Sequence, residues 1–302
     1  MKIRILIRTS IITIIGTSLV ACGAASLEEY QKFATAGKEY ASALDSLLVT
    51  SGNYFVDANS EILLRSDLQE PNEDTVNYNQ VTKLDDEWLI LIGRMRQHSD
   101  LLKRYFLALE NLANSDAPEQ AKQATERIFT QLNSVGTSIQ GSPLVSDKVG
   151  SALSAIPQII LSQKIKGALR EELEQRKEAI YRELALQDLV LALLTTQLQK
   201  NLQIIRDSKD NRTTLPPYAS PVTISNPDTW IEERRNIRTM TLSIEALNNA
   251  NQASEEFKEA FELLLEDKFT IARANALLSD IESLLKVAED LKKTINQPKP
   301  GE

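Results

Sequence analysis

The sequence predicts an all-α protein: an elongated antiparallel bundle of about five or six long helices, packed in coiled-coil fashion, with no sheet. Three observations predict it. Leu, Ala, Glu, Gln and Lys dominate long stretches, and these residues lose little on entering a helix, while a chain of 302 residues carries only ten Gly and ten Pro. Apolar residues recur on alternating three- and four-residue steps for many turns, the seam of long helices packed side by side. No segment sustains the period-two alternation of a half-buried strand. Helices of about 40 to 50 residues, at a rise of about 1.5 Å each, reach roughly 60 to 75 Å and so require a rod.

The first helix is expected from about residue 27 to 68. Its seam runs through Leu27, Tyr30, Ala34, Gly37, Ala41, Leu44, Leu48, Ser51, Phe55, Ala58 and Ile62, and Pro71 follows its end. A second helix, about 79 to 113, repeats the pattern through Val81, Leu84, Trp88, Leu91, Met95, His98, Leu102, Tyr105, Leu109 and Leu112. Asp116 and Pro118-Glu119 then supply a cap and an acidic first turn for a shorter helix to about 139, with Ala121, Ile128, Leu132, Val135 and Ile139 inward.

Gly136, Gly141, Pro143, Gly150 and Pro157 break the regularity before a long helix expected from about 157 to 208. Between Leu184 and Leu194 its apolar residues go nearly all the way round, which marks a helix buried on every side and the centre of the bundle. Residues 210 to 227 read as the longest non-helical stretch. One helix from about 227 to 265 follows, with Asn248, Asn249, Asn251 and Gln252 as a weak point or kink, because short amides compete for backbone hydrogen bonds. The last helix, about 269 to 295, carries Ala274, Leu277, Ile281, Leu284, Ala288, Leu291 and Ile295, and 296–302 reads as a disordered tail. The shared seam argues for a single elongated bundle over 27–295.

The first residues have a different character. Lys2, Arg4 and Arg8 precede a mostly apolar run from Thr9 to Ala21. That is the length of an export-signal core, short of the roughly 20 residues a spanning helix needs. Leu19-Val20-Ala21-Cys22 closes the run at the chain's one cysteine and resembles the bacterial lipobox. The resemblance implies a signal peptide over 1–21, cleavage between Ala21 and Cys22, and a lipid (palmitate-type) anchor on Cys22. Two or three acyl chains make a durable anchor at about 0.8 kcal/mol per buried CH₂. Residues 22–26 would be the lipidated tether. Gly23, rather than an aspartate, follows the cysteine, which implies the outer membrane in a bacterium with two membranes. The expected setting is the cell envelope, on the extracytoplasmic side.

Thirty-four basic and 42 acidic side chains give a formal charge of −8. Removing the signal takes away Lys2, Arg4 and Arg8, so 31 basic face 42 acidic and the balance is −11. Such a surface repels phosphate backbones, so no nucleic-acid partner is expected. With one cysteine the body can form no internal disulfide and must rest on its core.

No set of residues carries catalysis. His98, the only histidine, sits on the second seam between Met95 and Leu102. A bundle metal site wants Glu-x-x-His motifs from two helices, so a core histidine is expected, with no metal and no cofactor. Gly136 and Gly141 have the glycine spacing of a phosphate loop, but Ser142-Pro143 stands where Lys is needed and no strand precedes it. The acidic runs Asp85-Asp86-Glu87, Glu171-Glu172-Glu174 and Glu255-Glu256 read as solvated faces. In the long connector Pro216, Pro217, Tyr218 and Pro221 read either as a semi-rigid spacer or as a polyproline-type surface that contacts a partner.

The expectation is therefore a non-enzymatic, membrane-anchored lipoprotein acting as a helical structural or adaptor module for a protein partner. Two alternatives stand beside it. The run Ser134 to Gly167, small and poor in charge between long helices, makes the organisation resemble α-pore-forming toxins of the haemolysin BL kind, which implies a membrane-active bundle. Asp147, Lys148, Lys164 and Lys166 interrupt that run, and no stretch reaches spanning length. The other alternative is a small-ligand-binding bundle with a polar pocket around His98.

Overall fold

The computed structural model describes residues 24–66, 78–114, 118–152, 159–163, 165, 167–219, 223–246 and 248–295. Helices follow in the order α1 (Ala24–Ser66), α2 (Tyr78–Asn114), α3 (Pro118–Gln140), α4 (Ser146–Ala152), α5 (Gly167–Lys209), α6 (Pro216–Ala219), α7 (Pro227–Ala246), α8 (Asn248–Leu265) and α9 (Ile271–Ile295). A π-helical turn, Asp210–Thr214, joins α5 to α6. Among the described residues there is no strand. The all-α bundle expected from the seams is what forms.

Most of the heptad positions are buried, with Ile62, Val81 and Trp88 half-buried. Tyr30, Ala34, Ala41, Leu44, Leu48, Phe55 and Ala58 of α1 are buried, as are Leu91, Met95, Leu102, Tyr105, Leu109 and Leu112 of α2. Leu84 departs: it holds a seam position near the start of α2 yet is exposed. All of Ala274, Leu277, Ile281, Leu284, Ala288 and Leu291 on α9 are buried. One continuous core cluster runs from Tyr30 to Leu291 and draws on every long helix.

Side-chain pairs fix the directions. Asn59 bonds to Asp85 and Arg96 to Asp45, so α1 and α2 are antiparallel. Lys258 bonds to Asp188, which sets α8 against α5, and Arg273 to Glu259, which sets α9 against α8. Not every neighbour is antiparallel. Tyr54 donates to the Leu291 carbonyl while Phe33 meets Phe269, so α1 and α9 run the same way. Lys122–Glu171 and Arg176–Glu126 make α3 and α5 parallel.

Where α1, α2, α8 and α9 meet, Phe33 stacks on Phe257 at 5.0 Å and stands edge-on to Phe106 at 5.2 Å and to Phe269 at 5.9 Å. Gly37 makes this approach possible. A Cβ there would lie 2.9 Å from Phe106 and 3.1 Å from Phe257.

Two expected boundaries are corrected. The long fourth limb begins at Gly167 rather than near 157: Gly167 has φ +64°, a left-handed conformation that breaks the helix on its N-terminal side. Arg170 then holds the carbonyls of Ser162 and Ile165 with its guanidinium. The expected limb 227–265 is helical on both sides of Leu247, as α7 and α8, and Leu247 itself lies outside the described residues. The connector 210–227 is partly helical, because the π-turn continues α5 and Pro216 opens α6, where the fixed proline φ suits a first helical turn.

The starts of α7 and α9 follow capping chemistry. Asn226 Oδ1 accepts from Thr229 N at 3.2 Å, with Pro227 and Asp228 in the first turn, and Thr270 Oγ1 accepts from Arg273 N at 3.3 Å. The burial expected of α5 is observed: from Glu183 to Thr195 no residue is exposed. Helix α5 packs against α1, α2, α3, α4, α7 and α8 and is the hub of the bundle.

Candidate functional site

The cleavage pair Ala21 and Cys22, with Gly23, lies outside the described residues, as do Pro221 and the tail 296–302. Helix α1 begins at Ala24, two residues after Cys22.

The expected contact loop forms one end of the bundle. Pro216, Pro217 and Tyr218 belong to α6, a helical turn, so the polyproline reading does not hold there. Tyr218 is 73% exposed and its ring lies 6.0 Å from that of Trp230 on α7. The Trp230 indole N–H donates to the Thr214 carbonyl at 3.3 Å, and the Arg234 guanidinium sits 5.8 Å from the indole ring centre. Leu215 and Ile231, beside these rings in the chain, are 46% and 47% exposed. The turn is fastened to α1 by a two-pronged ion pair: Arg212 Nη1 and Nη2 donate to Glu61 at 2.6 and 2.8 Å. Arg238 reaches toward Asp210 at 3.7 Å. Loop, π-turn and α7 thus make one contiguous surface of aromatic, aliphatic and guanidinium groups.

A second constellation is buried between α2, α3 and α5. His98 and Glu183 are both buried, and His98 Nε2 lies 2.8 Å from Glu183 Oε2. One heptad along α2, the Tyr105 hydroxyl donates to Glu172 Oε1 at 2.9 Å. Arg176 Nε lies 2.9 Å from the same oxygen, an ion-pair contact outside hydrogen-bond alignment, and its guanidinium covers the Phe129 ring at 4.7 Å. Burial, followed by the charge of Glu172, holds the Tyr105 hydroxyl well above its ordinary range.

Gly136 of α3 admits Glu183. A Cβ there would overlap the carboxylate, with Cδ only 3.0 Å away. Buried polar atoms without a protein hydrogen-bond partner include His98 Nδ1, Glu172 Oε2 and both amide atoms of Gln187.

This arrangement corrects the reading of Glu171-Glu172-Glu174 as a wholly solvated face: Glu171 and Glu174 are exposed, but Glu172 turns inward. The sequence held a signal for it. Glu172, Arg176, Glu183 and Gln187 recur on four- and seven-residue steps, a polar row on the same heptad geometry as the apolar one. The expected core position of His98 is observed, with an acidic partner the seam did not reveal. Among the described residues no group of three or more His, Cys, Asp or Glu side chains is placed to hold a metal ion. His98 with Glu183, like Tyr105 with Glu172, forms a buried hydrogen-bonded pair that ties α2 to α5.

Two open grooves lie elsewhere. One of about 600 Å³ between α1 and α2 is lined by Asp45, Arg96, Asp100 and Lys103, with Arg96 and Asp45 paired at 2.6 Å. One of about 310 Å³ between α8 and α9 holds Glu256, Asp280 and Arg273. The hydrogen bond that the protonated Glu256 carboxyl donates to Asp280, then burial, raises Glu256 above its ordinary range. Among the described residues no helix is long and apolar enough to cross a membrane. No protein-family model, curated protein or solved structure matches this chain.

Proposed function

We propose that this chain is a lipoprotein of the bacterial cell envelope, fixed to a membrane through acylated Cys22 and acting there as a non-enzymatic helical adaptor for a protein partner. The observation that carries the reading is Leu19-Val20-Ala21-Cys22, set directly after a basic n-region and an apolar core and at the chain's one cysteine. The compact start of the body supports it. With α1 starting at Ala24, two residues of at most about 3.6 Å each separate the helix from the lipid, so the bundle end stands within about 7 Å of the anchor. From Ala24 to Glu61, the partner of Arg212, α1 rises about 55 Å. The Tyr218–Trp230 surface is then held far from the bilayer, where a soluble or membrane-bound protein can reach it. Gly23 after the cysteine favours the outer membrane.

The test is a comparison of the chain and its Cys22→Ala variant in the producing bacterium. The chain is expected in the detergent-soluble membrane fraction, and the variant either released outside the cytoplasm or left as unprocessed precursor. Normal processing and membrane retention of the variant would overturn the reading.

A further inference from the structure

The distal surface has more definition than an exposed loop. Five side chains of α7 lie on one face at helical spacing: Trp230 and Ile231, then Arg234, Arg235 and Arg238. Ile231 and the three arginines are exposed, whereas Trp230 is half-buried against Tyr218 and the Thr214 carbonyl. The neighbouring acids cancel this face only in part: Asp210 pairs with Arg238 at 3.7 Å, and exposed Asp228 stands in the first turn of α7. Glu232 and Glu233 are only half-exposed, and Glu233 acts on Arg212, whose guanidinium is already committed to Glu61. In a chain of net charge −8, the exposed guanidinium groups of Arg234 and Arg235 beside exposed Tyr218, Leu215 and Ile231 are a local reversal of sign.

Aromatic residues and arginine are the types that dominate binding hot spots, and a cationic rim around an apolar centre selects a partner by sign. The surface is also pre-ordered. The Glu61–Arg212 pair, the Trp230–Thr214 bond and the Asn226 cap fix both halves of it, so a ligand need not meet the cost of ordering a loop.

We infer that the surface formed by Leu215, Tyr218, Trp230, Ile231, Arg234 and Arg235 binds an acidic peptide segment that carries at least one aromatic or large aliphatic residue. The ring or aliphatic group lies against Tyr218 and Ile231, and the carboxylates pair with Arg234 and Arg235. The inference rests on the adaptor reading and names the chemistry of its partner.

A random peptide library displayed on phage, selected on the purified chain and counter-selected on its Tyr218→Ala/Arg235→Glu double mutant, tests it. Both changed side chains are exposed, and equal thermal melts of the double mutant and the unaltered chain establish that the fold is kept. The selection is expected to enrich peptides of net negative charge with an aromatic or large aliphatic residue. Their affinity should weaken with added salt, fall about tenfold or more for Arg234→Glu/Arg235→Glu, and survive in Arg235→Lys. Enrichment of neutral or basic peptides overturns the inference, as does a selection in which no peptide prefers the unaltered chain to the double mutant. So does binding to vesicles of anionic phospholipid that the same substitutions abolish while no peptide is selected. Cys22 plays no part in this assay, so failure of the lipid anchor and failure of the docking surface are read separately.

Discussion

His98 Nε2 and Glu183 Oε2 lie 2.8 Å apart, with the two side chains 0% and 3% exposed. With the carboxylate ionised, the ring N–H donates to it, and the two groups are taken out of water together. Removing one partner leaves a buried carboxylate with no counterpart. His98→Leu is expected to destabilise the fold by about 3–5 kcal/mol. His98→Leu combined with Glu183→Leu should cost clearly less, because a buried pair replaced by apolar groups of similar volume is often close to neutral. Urea denaturation of the single and double variants measures the difference. Equal losses in both would show that the pair does not act as a unit.

Glycine positions make a sharper contrast. Gly136 packs so close to Glu183 that a methyl group overlaps the carboxylate, whereas Gly93 on α2 has nothing within 4 Å of its would-be Cβ. The same change, Gly→Ala, should therefore have opposite signs. At position 136 overpacking is expected to cost about 1–3 kcal/mol. At position 93 the helix gains about 0.5–1 kcal/mol from alanine's better propensity. Thermal melts of the two variants give the signs directly.

Legibility in the sequence divided along physical lines. The seams of α1, α2 and α9 could be read because each buries apolar residues on one stripe, and Tyr30 to Ala58 or Ala274 to Leu291 display that stripe as spacing. The all-round burial of α5 at 184–194 was equally plain. Three things were hidden. Glu172 and Glu183 stand among surface glutamates of the same type, and their four- and seven-residue spacing with Arg176 and Gln187 marks a polar row without telling which face it takes. The start of α5 at Gly167 depends on a positive φ, whereas Ile159, Leu161 and Ile165 continue the apolar look of a helix. The surface of Tyr218 and Trp230 brings together rings twelve residues apart and ties the Trp230 indole to the Thr214 carbonyl of a π-helical turn, which no local pattern announces.

Alkaline pH should unfold the protein through its tyrosines. Burial, then the hydrogen bond to Glu262, pushes the Tyr181 hydroxyl up to about 12. Burial raises Tyr40 and Tyr30 further, and burial and Glu172 raise Tyr105. In each case the folded state favours the protonated phenol, while the unfolded chain loses the proton near pH 10. The stabilisation is fully present below about pH 10 and is lost as pH rises through 10 to 12 and beyond. Helical circular dichroism and tyrosinate absorbance, followed together in an alkaline titration, should change in one step. Ionisation of the buried hydroxyls while the helices stay intact would contradict it.

The most direct test of the account is intact mass spectrometry of the N-terminal peptide from the membrane-extracted protein. The predicted result is a chain that begins at Cys22 and carries the mass of a thioether-linked diacylglycerol, with or without a third acyl chain. A free thiol at position 22, or a chain that retains residues 1–21, would contradict it.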